Sequence, residues 1–167
     1  MFDLITREYD MRHGIHDEHL TRIAEINFAN AKLNPNAQTR GWQFADGSFG
    51  ADDALNPVIE GRVRKLDCGQ ITDGAACIIL ANEDVAKAHA DEQGLKLADI
   101  PRIKGWGHRS APISLDTKLA SSRGNGVIFP HAAATISEAL GRADMKAVTS
   151  VDGLETHDCF TITEYMA

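Results

Sequence analysis

Ala75-Ala76-Cys77-Ile78-Ile79-Leu80 is a continuous apolar run, entered through Asp73-Gly74 and followed by Asn82 and a segment that Gly94 closes. A short apolar run bounded by turn residues reads as a strand buried on both faces. The next segment, with an Asn cap at its start and a Gly at its end, reads as a helix over Glu83–Gln93. Outward from this unit the pattern repeats. A strand is expected over Arg102–His108, then a glycine-rich connection at Ser121–Gly126, a helix from Pro130 to Leu140, and an extended, partly apolar stretch over Val148–Thr156. On the N-terminal side, His16-Asp17 opens a helix over Asp17–Lys32 whose apolar positions Leu20, Ile23, Ala24, Phe28 and Ala31 recur at helical spacing, and Asn34-Pro35 stops it. Arg40–Asn56, rich in Gly, Asp, Trp and Phe without periodicity, reads as a lid-like excursion. Alternating strands and helices imply a layered α/β arrangement.

Composition narrows the function classes. The chain has 167 residues, 43% hydrophobic and 25% charged, with a formal net charge of −7. That balance argues against nucleic acid or an anionic membrane surface as a partner, since both attract clustered Lys and Arg. Arg62-Val63-Arg64-Lys65 is the one dense basic stretch, and it reads as a solvated strand entry ahead of a phosphate site. Three cysteines, Cys68, Cys77 and Cys159, are odd in number and lack a CxxC pair, which suggests neither a disulfide framework nor a zinc knuckle. A reducing, cytoplasmic setting fits. No apolar run approaches membrane-spanning length, and the N-terminus lacks the features of a signal peptide.

The chemistry-bearing residues lie in the last third, where the extended stretch runs into His157-Asp158-Cys159-Phe160. On a strand, residues two apart share a face, so an imidazole and a thiol could converge there for proton transfer. A buried structural Cys beside a surface His accounts for the same spacing, and spacing alone leaves both readings open. Ser121–Gly126 has small residues suited to a phosphate cradle but no Walker or GxGxxG pattern, so it reads as a connection. His13, His16 and His19 recur every three residues without a fixed carboxylate or thiol ligand nearby, and no metal site is expected. Cys68 and Cys77 read as inert packing residues.

Four stretches together resemble the thiolases of the sterol-carrier-protein type. His157-Asp158-Cys159-Phe160 is similar to their HDCF signature, and Leu66-Asp67-Cys68-Gly69-Gln70 through Ala76 to their strand-entry motif. Arg12-His13-Gly14 with Asn34-Pro35-Asn36-Ala37 resembles the start of their loop domain, and Lys104-Gly105-Trp106-Gly107 the first strand of their C-terminal half. All four occur in the family's order.

The resemblance implies a thiolase-like layered α/β fold, present in part: residues 1–66 as the loop-domain region, 67–100 as the end of the N-terminal half and 101–167 as the start of the C-terminal half. It implies an acyltransferase of lipid metabolism acting on acyl-CoA and 3-ketoacyl-CoA thioesters. Coenzyme A would enter as the thioester substrate, with no separate cofactor. Cys159 would be the acid/base thiol, and His157 would help form the pocket for the thioester oxygen. His13, Gly69 and Phe160 would line the pantetheine path, with Gly69 standing where some relatives carry a serine. The family's nucleophilic cysteine is not found in its position, and no Gly-His-Pro occurs anywhere in the chain. The expectation is therefore that this chain alone is inactive and works in an oligomer or beside a partner that supplies the missing groups. The alternative is a non-catalytic CoA-binding or scaffolding subunit.

Overall fold

The computed structural model describes residues Met1–Ala167, which fold as two compact units. The first comprises Met1–Ile71 with Gly153–Ala167, and the second Thr72–Asp152.

In the first unit, α1 (Phe2–His13) and α2 (Asp17–Leu33) are followed by a long run of turns, then by a small antiparallel hairpin of β1 (Val58–Glu60) and β2 (Val63–Arg64). Val58 pairs with Arg64 and Glu60 with Val63, with an irregularity between them. Gly61 turns the hairpin at φ +56°, in the left-handed region where glycine carries no Cβ penalty. A short α6 (Thr161–Tyr165) returns to pack on α2 and α1. Ile5, Leu20, Ala24, Val63, Leu66 and Ile162 form the core. Two polar groups complete it. Buried Asn56 accepts the Leu66 N–H at 2.9 Å, and buried Asp3 accepts the Arg62 N–H at 3.1 Å. The helix expected over Asp17–Lys32 is present as α2. His16 stands at its N-cap without a side-chain cap bond, while Asp17 and Glu18 face the positive helix end. In the excursion after it, Trp42, Phe44 and Phe49 gather around Phe28 of α2, with Phe28–Phe44 ring centroids 4.9 Å apart.

The second unit holds α3 (Glu83–Gln93), α4 (Leu115–Ser121) and α5 (Pro130–Arg142). α3 starts and stops as its sequence predicts. Asn82 accepts the Val85 N–H at 3.0 Å, and Gly94 closes the helix at φ +67°. α5 begins on Pro130, which needs no N–H partner there.

The three expected strands are corrected. Ala75–Leu80 and Arg102–His108 carry no regular secondary structure and no backbone pairing, and Val148–Ser150 forms a 3₁₀ turn that continues into irregular chain through Thr156. Ile78 is 84% exposed and Ile79 89% exposed, not buried, and Cys77 is exposed with them instead of packed. The physical reason is pairing. Extended chain becomes sheet only beside another backbone that takes its N–H and C=O groups, and these stretches have none. The architecture is accordingly mixed helical with one two-stranded sheet, a coarse α/β arrangement.

Arg102–His108 is nonetheless shaped by packing. A Cβ on Gly105 would lie 2.0 Å from the Ala139 carbonyl oxygen, and one on Gly107 2.0 Å from that of Thr135. The alternate glycines let this segment lie directly on the backbone of α5. Trp106, between them, carries the Arg142 guanidinium of α5 over its ring at 4.7 Å.

Candidate active site

Two distant stretches meet at one backbone junction. Cys68 and Phe160 form an isolated antiparallel bridge, and the Gly69 N–H donates to the Cys159 carbonyl at 2.8 Å. The Lys65–Asp67 turn and the start of α6 hold this junction from either side. Asp67 accepts the Arg64 N–H at 2.7 Å and the Thr161 hydroxyl at 2.9 Å. Burial raises the Asp67 carboxyl above its ordinary value, partly offset by those two donors. Burial, and then the Asp67 charge, push the Cys68 thiol up, and its Sγ donates to the Arg64 carbonyl at 3.3 Å. Cys68 is the packing thiol its sequence suggests.

The expected site residues fall into three groups. Gly69 and Cys159 are in backbone contact, and Phe160 lies next to them, stacked on Phe2 with ring centroids 3.7 Å apart. Cys159 is half-buried. His157 is exposed, on irregular chain and not on a strand shared with Cys159, so the common strand face expected for the two is absent. His13 ends α1, exposed, with its ring 4.8 Å from Tyr9. His16 and His19 approach to 5.3 Å between ring centroids. No group of three His, Cys, Asp or Glu side chains is placed to hold a metal ion.

Asp158, between His157 and Cys159, points toward α2 and α6. Asn27 of α2 donates to Asp158 Oδ2 and, at 3.0 Å, to Glu164 Oε2 of α6. Burial and the neighbouring Glu164 raise the Asp158 carboxyl to about 6, against the opposing pull of Thr163 and His157.

A cleft of about 460 Å³ opens elsewhere in the first unit, lined by Asp3, Arg7, Asp10, Asp17, Arg62 and Arg64 among others, and includes none of the five expected residues. Its cations are engaged. Arg62 bonds Asp10 and Asp17, each at 2.8 Å, and Arg64 bonds Asp53 at 2.7 Å. Arg62 and Arg64 thus stand part-exposed at β2, ion-paired with partly or largely exposed carboxylates, and Lys65 beside them is exposed.

Two curated proteins match nearly the whole chain. An acetyl-CoA acetyltransferase of Methanothermobacter thermautotrophicus is 27% identical over 169 residues, covering 100% of this chain and 39% of its own length. Sterol carrier protein 2 of Gallus gallus is 25% identical over 172 residues, covering 99% of this chain and 28% of its own length. These matches support the resemblance to thiolases of the sterol-carrier-protein type. It spans less than half the length of either match. No family model matches it, and no solved structure does. No helix is long and apolar enough to cross a membrane.

The sequence alone did not point to Asn27, Asp67 or Glu164. Asp67 lies inside the strand-entry motif, two residues from Gly69, so its position carried a signal. Asn27 and Glu164 carried none, because their roles depend on packing between α2 and α6.

Proposed function

We propose that this chain carries part of a thiolase-type acyl-transfer centre acting on acyl-CoA and 3-ketoacyl-CoA thioesters, within a thiolase-like layered α/β assembly. The observation supporting this reading is the junction of the strand-entry and HDCF stretches. These lie far apart in sequence, yet Gly69 and Cys159 share a 2.8 Å hydrogen bond. In this reading Cys159 moves the proton at the carbon beside the thioester, and His157 donates to the enolate oxygen that forms there. Gly69, Phe160 and His13 line the approach of the pantetheine arm. Gly69 matters by being small, because a side chain there would press on the Cys159 backbone.

In this reading the acylated nucleophile and its activating base are supplied from outside these 167 residues, by further thiolase segments or a partner chain. Such residues act as a unit, so the chain by itself has no thiolase turnover. Coenzyme A is substrate and product here, and no resident cofactor is required. A cytoplasmic setting is part of the same proposal.

A second reading is a non-catalytic CoA-binding or scaffolding subunit, favoured by the exposure of Ile78, Ile79, Leu80, Ile103 and Ile113. One experiment separates the two. Thiolysis of acetoacetyl-CoA is followed for the chain alone, for the chain completed with the missing groups, and for that assembly carrying Cys159→Ala. Activity only in the second sample supports the acyl-transfer reading. Acyl-CoA binding with equal turnover in the last two removes Cys159 from the chemistry.

A further inference from the structure

Two carboxyl groups meet at Asn27, and one buried oxygen of the pair has no donor. Asn27 gives one N–H to Asp158 Oδ2 and the other to Glu164 Oε2, so Asp158 and Glu164 are drawn together over one neutral amide. Asp158 Oδ1 is buried and receives no hydrogen bond. Thr163 stands beside the carboxyl, but a hydroxyl has a single proton, and that of Thr163 goes to the Phe160 carbonyl at 2.6 Å. The group at hand is the other carboxyl. Two ionised carboxylates so placed repel, whereas one proton between them removes the repulsion and supplies the absent donor.

We propose that Asp158 is a positioning residue for the His157–Cys159 turn: it shares one proton with Glu164, and the pair, bridged by Asn27, fastens that turn to α2 and α6. The charged groups acting on Asp158 are Glu164, from α6, and His157, from its own turn, while α2 presents the uncharged Asn27. Burial and Glu164 hold the proton on Asp158 up to about pH 6. The fastening is complete well below that value and loosens as pH rises through it, so the freedom of Cys159 becomes pH-dependent. The consequence for acyl transfer rests on the proposed function. The shared proton does not.

The test uses the full chain with ¹³C-labelled Asp and Glu carboxyls, titrated by NMR from pH 4 to pH 8. One carboxyl of the pair should titrate near 6, and Glu164→Gln should return Asp158 by about one pH unit or more toward the ordinary carboxylate range. In parallel, peptide-resolved alkylation with iodoacetamide compares Cys159 with exposed Cys77 in the same molecules. The Cys159-to-Cys77 ratio should rise several-fold between pH 5 and pH 7.5 in the wild type. In Asp158→Asn, whose amide cannot titrate, it should stay flat. If Asp158→Asn does not fold by circular dichroism, Glu164→Gln serves the same comparison, and the wild-type titration needs no variant. Independent titration of both carboxyls at ordinary values overturns the proposal, as does a pH-dependent ratio unchanged by the substitution. Neither readout involves acyl-CoA or thiolysis, so a failure here and a failure of the acyl-transfer reading are separately visible.

Discussion

The Gly69 amide and the Cys159 carbonyl are 2.8 Å apart, and a Cβ added at Gly69 would stand 3.0 Å from that same oxygen. The junction leaves room for a hydrogen atom and little more. Gly69→Ala or Gly69→Ser should fit after a shift of a few tenths of an ångström, at a cost of about 1 kcal/mol, whereas Gly69→Val should cost about 2–3 kcal/mol. Urea denaturation of the variants measures the difference. Equal stability of Gly69→Val and wild type would mean that the two stretches are not held together there.

Gly105 and Gly107 make a sharper case, because their neighbours are backbone oxygens at 2.0 Å from the added carbon. Neither Ala139 nor Thr135 can yield without distorting α5. Gly105→Ala and Gly107→Ala should each destabilise the second unit by about 1–3 kcal/mol by lifting the Arg102–His108 segment off the helix. Trp106 reports the event, since leaving the Arg142 guanidinium changes its emission. An unaltered Trp spectrum and an unaltered midpoint in both variants would contradict this packing.

How much of this was legible in the sequence depended on how local the signal is. α2, α3 and α5 are written in nearby residues, such as the Asn82 cap, the Gly94 stop and Pro130 at the first turn. α1 went unread because its inward positions include Asp3 and Thr6 beside Ile5, so its buried face does not look apolar. The strands failed for the opposite reason. Ala75–Leu80 has strand composition, but composition cannot supply the neighbouring backbone a strand requires. At the candidate site, the motif residues Gly69, Cys159 and Phe160 were readable and do converge, whereas the Asn27 bridge joins residues more than a hundred positions apart and leaves no local pattern.

Asp3 anchors the hairpin to α1. Its buried carboxylate accepts the Arg62 N–H at 3.1 Å and pairs with Arg7 at 2.7 Å, and the missing Cβ of Gly61 leaves it the space. Asp3→Ala strands a backbone donor and opens a void, which should cost about 2–3 kcal/mol. Arg7→Ala should cost less than about 1 kcal/mol, because Arg7 is largely exposed. Thermal unfolding of the two variants tests the ranking, and a larger loss for Arg7→Ala would reverse it.

The Asp158 carboxyl gives the stability of the first unit a pH dependence whose sign differs from that of an ordinary salt-bridged carboxylate. Its folded value, about 6, lies above the unfolded value of 3.8, so between those two values the folded chain binds more protons than the unfolded one. Stability from this group is therefore fully present below about pH 4, declines as pH rises toward 6, and is flat above. Asp67, also raised by burial, adds in the same direction. A full conversion of the Asp158 shift would give about 3 kcal/mol, but the group is only part-buried and water screens its charge, so about 1–2 kcal/mol is expected. Denaturant midpoints for wild type and Asp158→Asn, measured side by side from pH 4 to pH 7.5, isolate the contribution of the Asp158–Glu164 pair, because the carboxyls outside it cancel in the difference. The variant should gain on the wild type by that amount as pH rises through the window. A variant advantage that is constant with pH, or that grows toward acid, would show Asp158 ionised in the folded chain and the proton absent from its bond to Glu164.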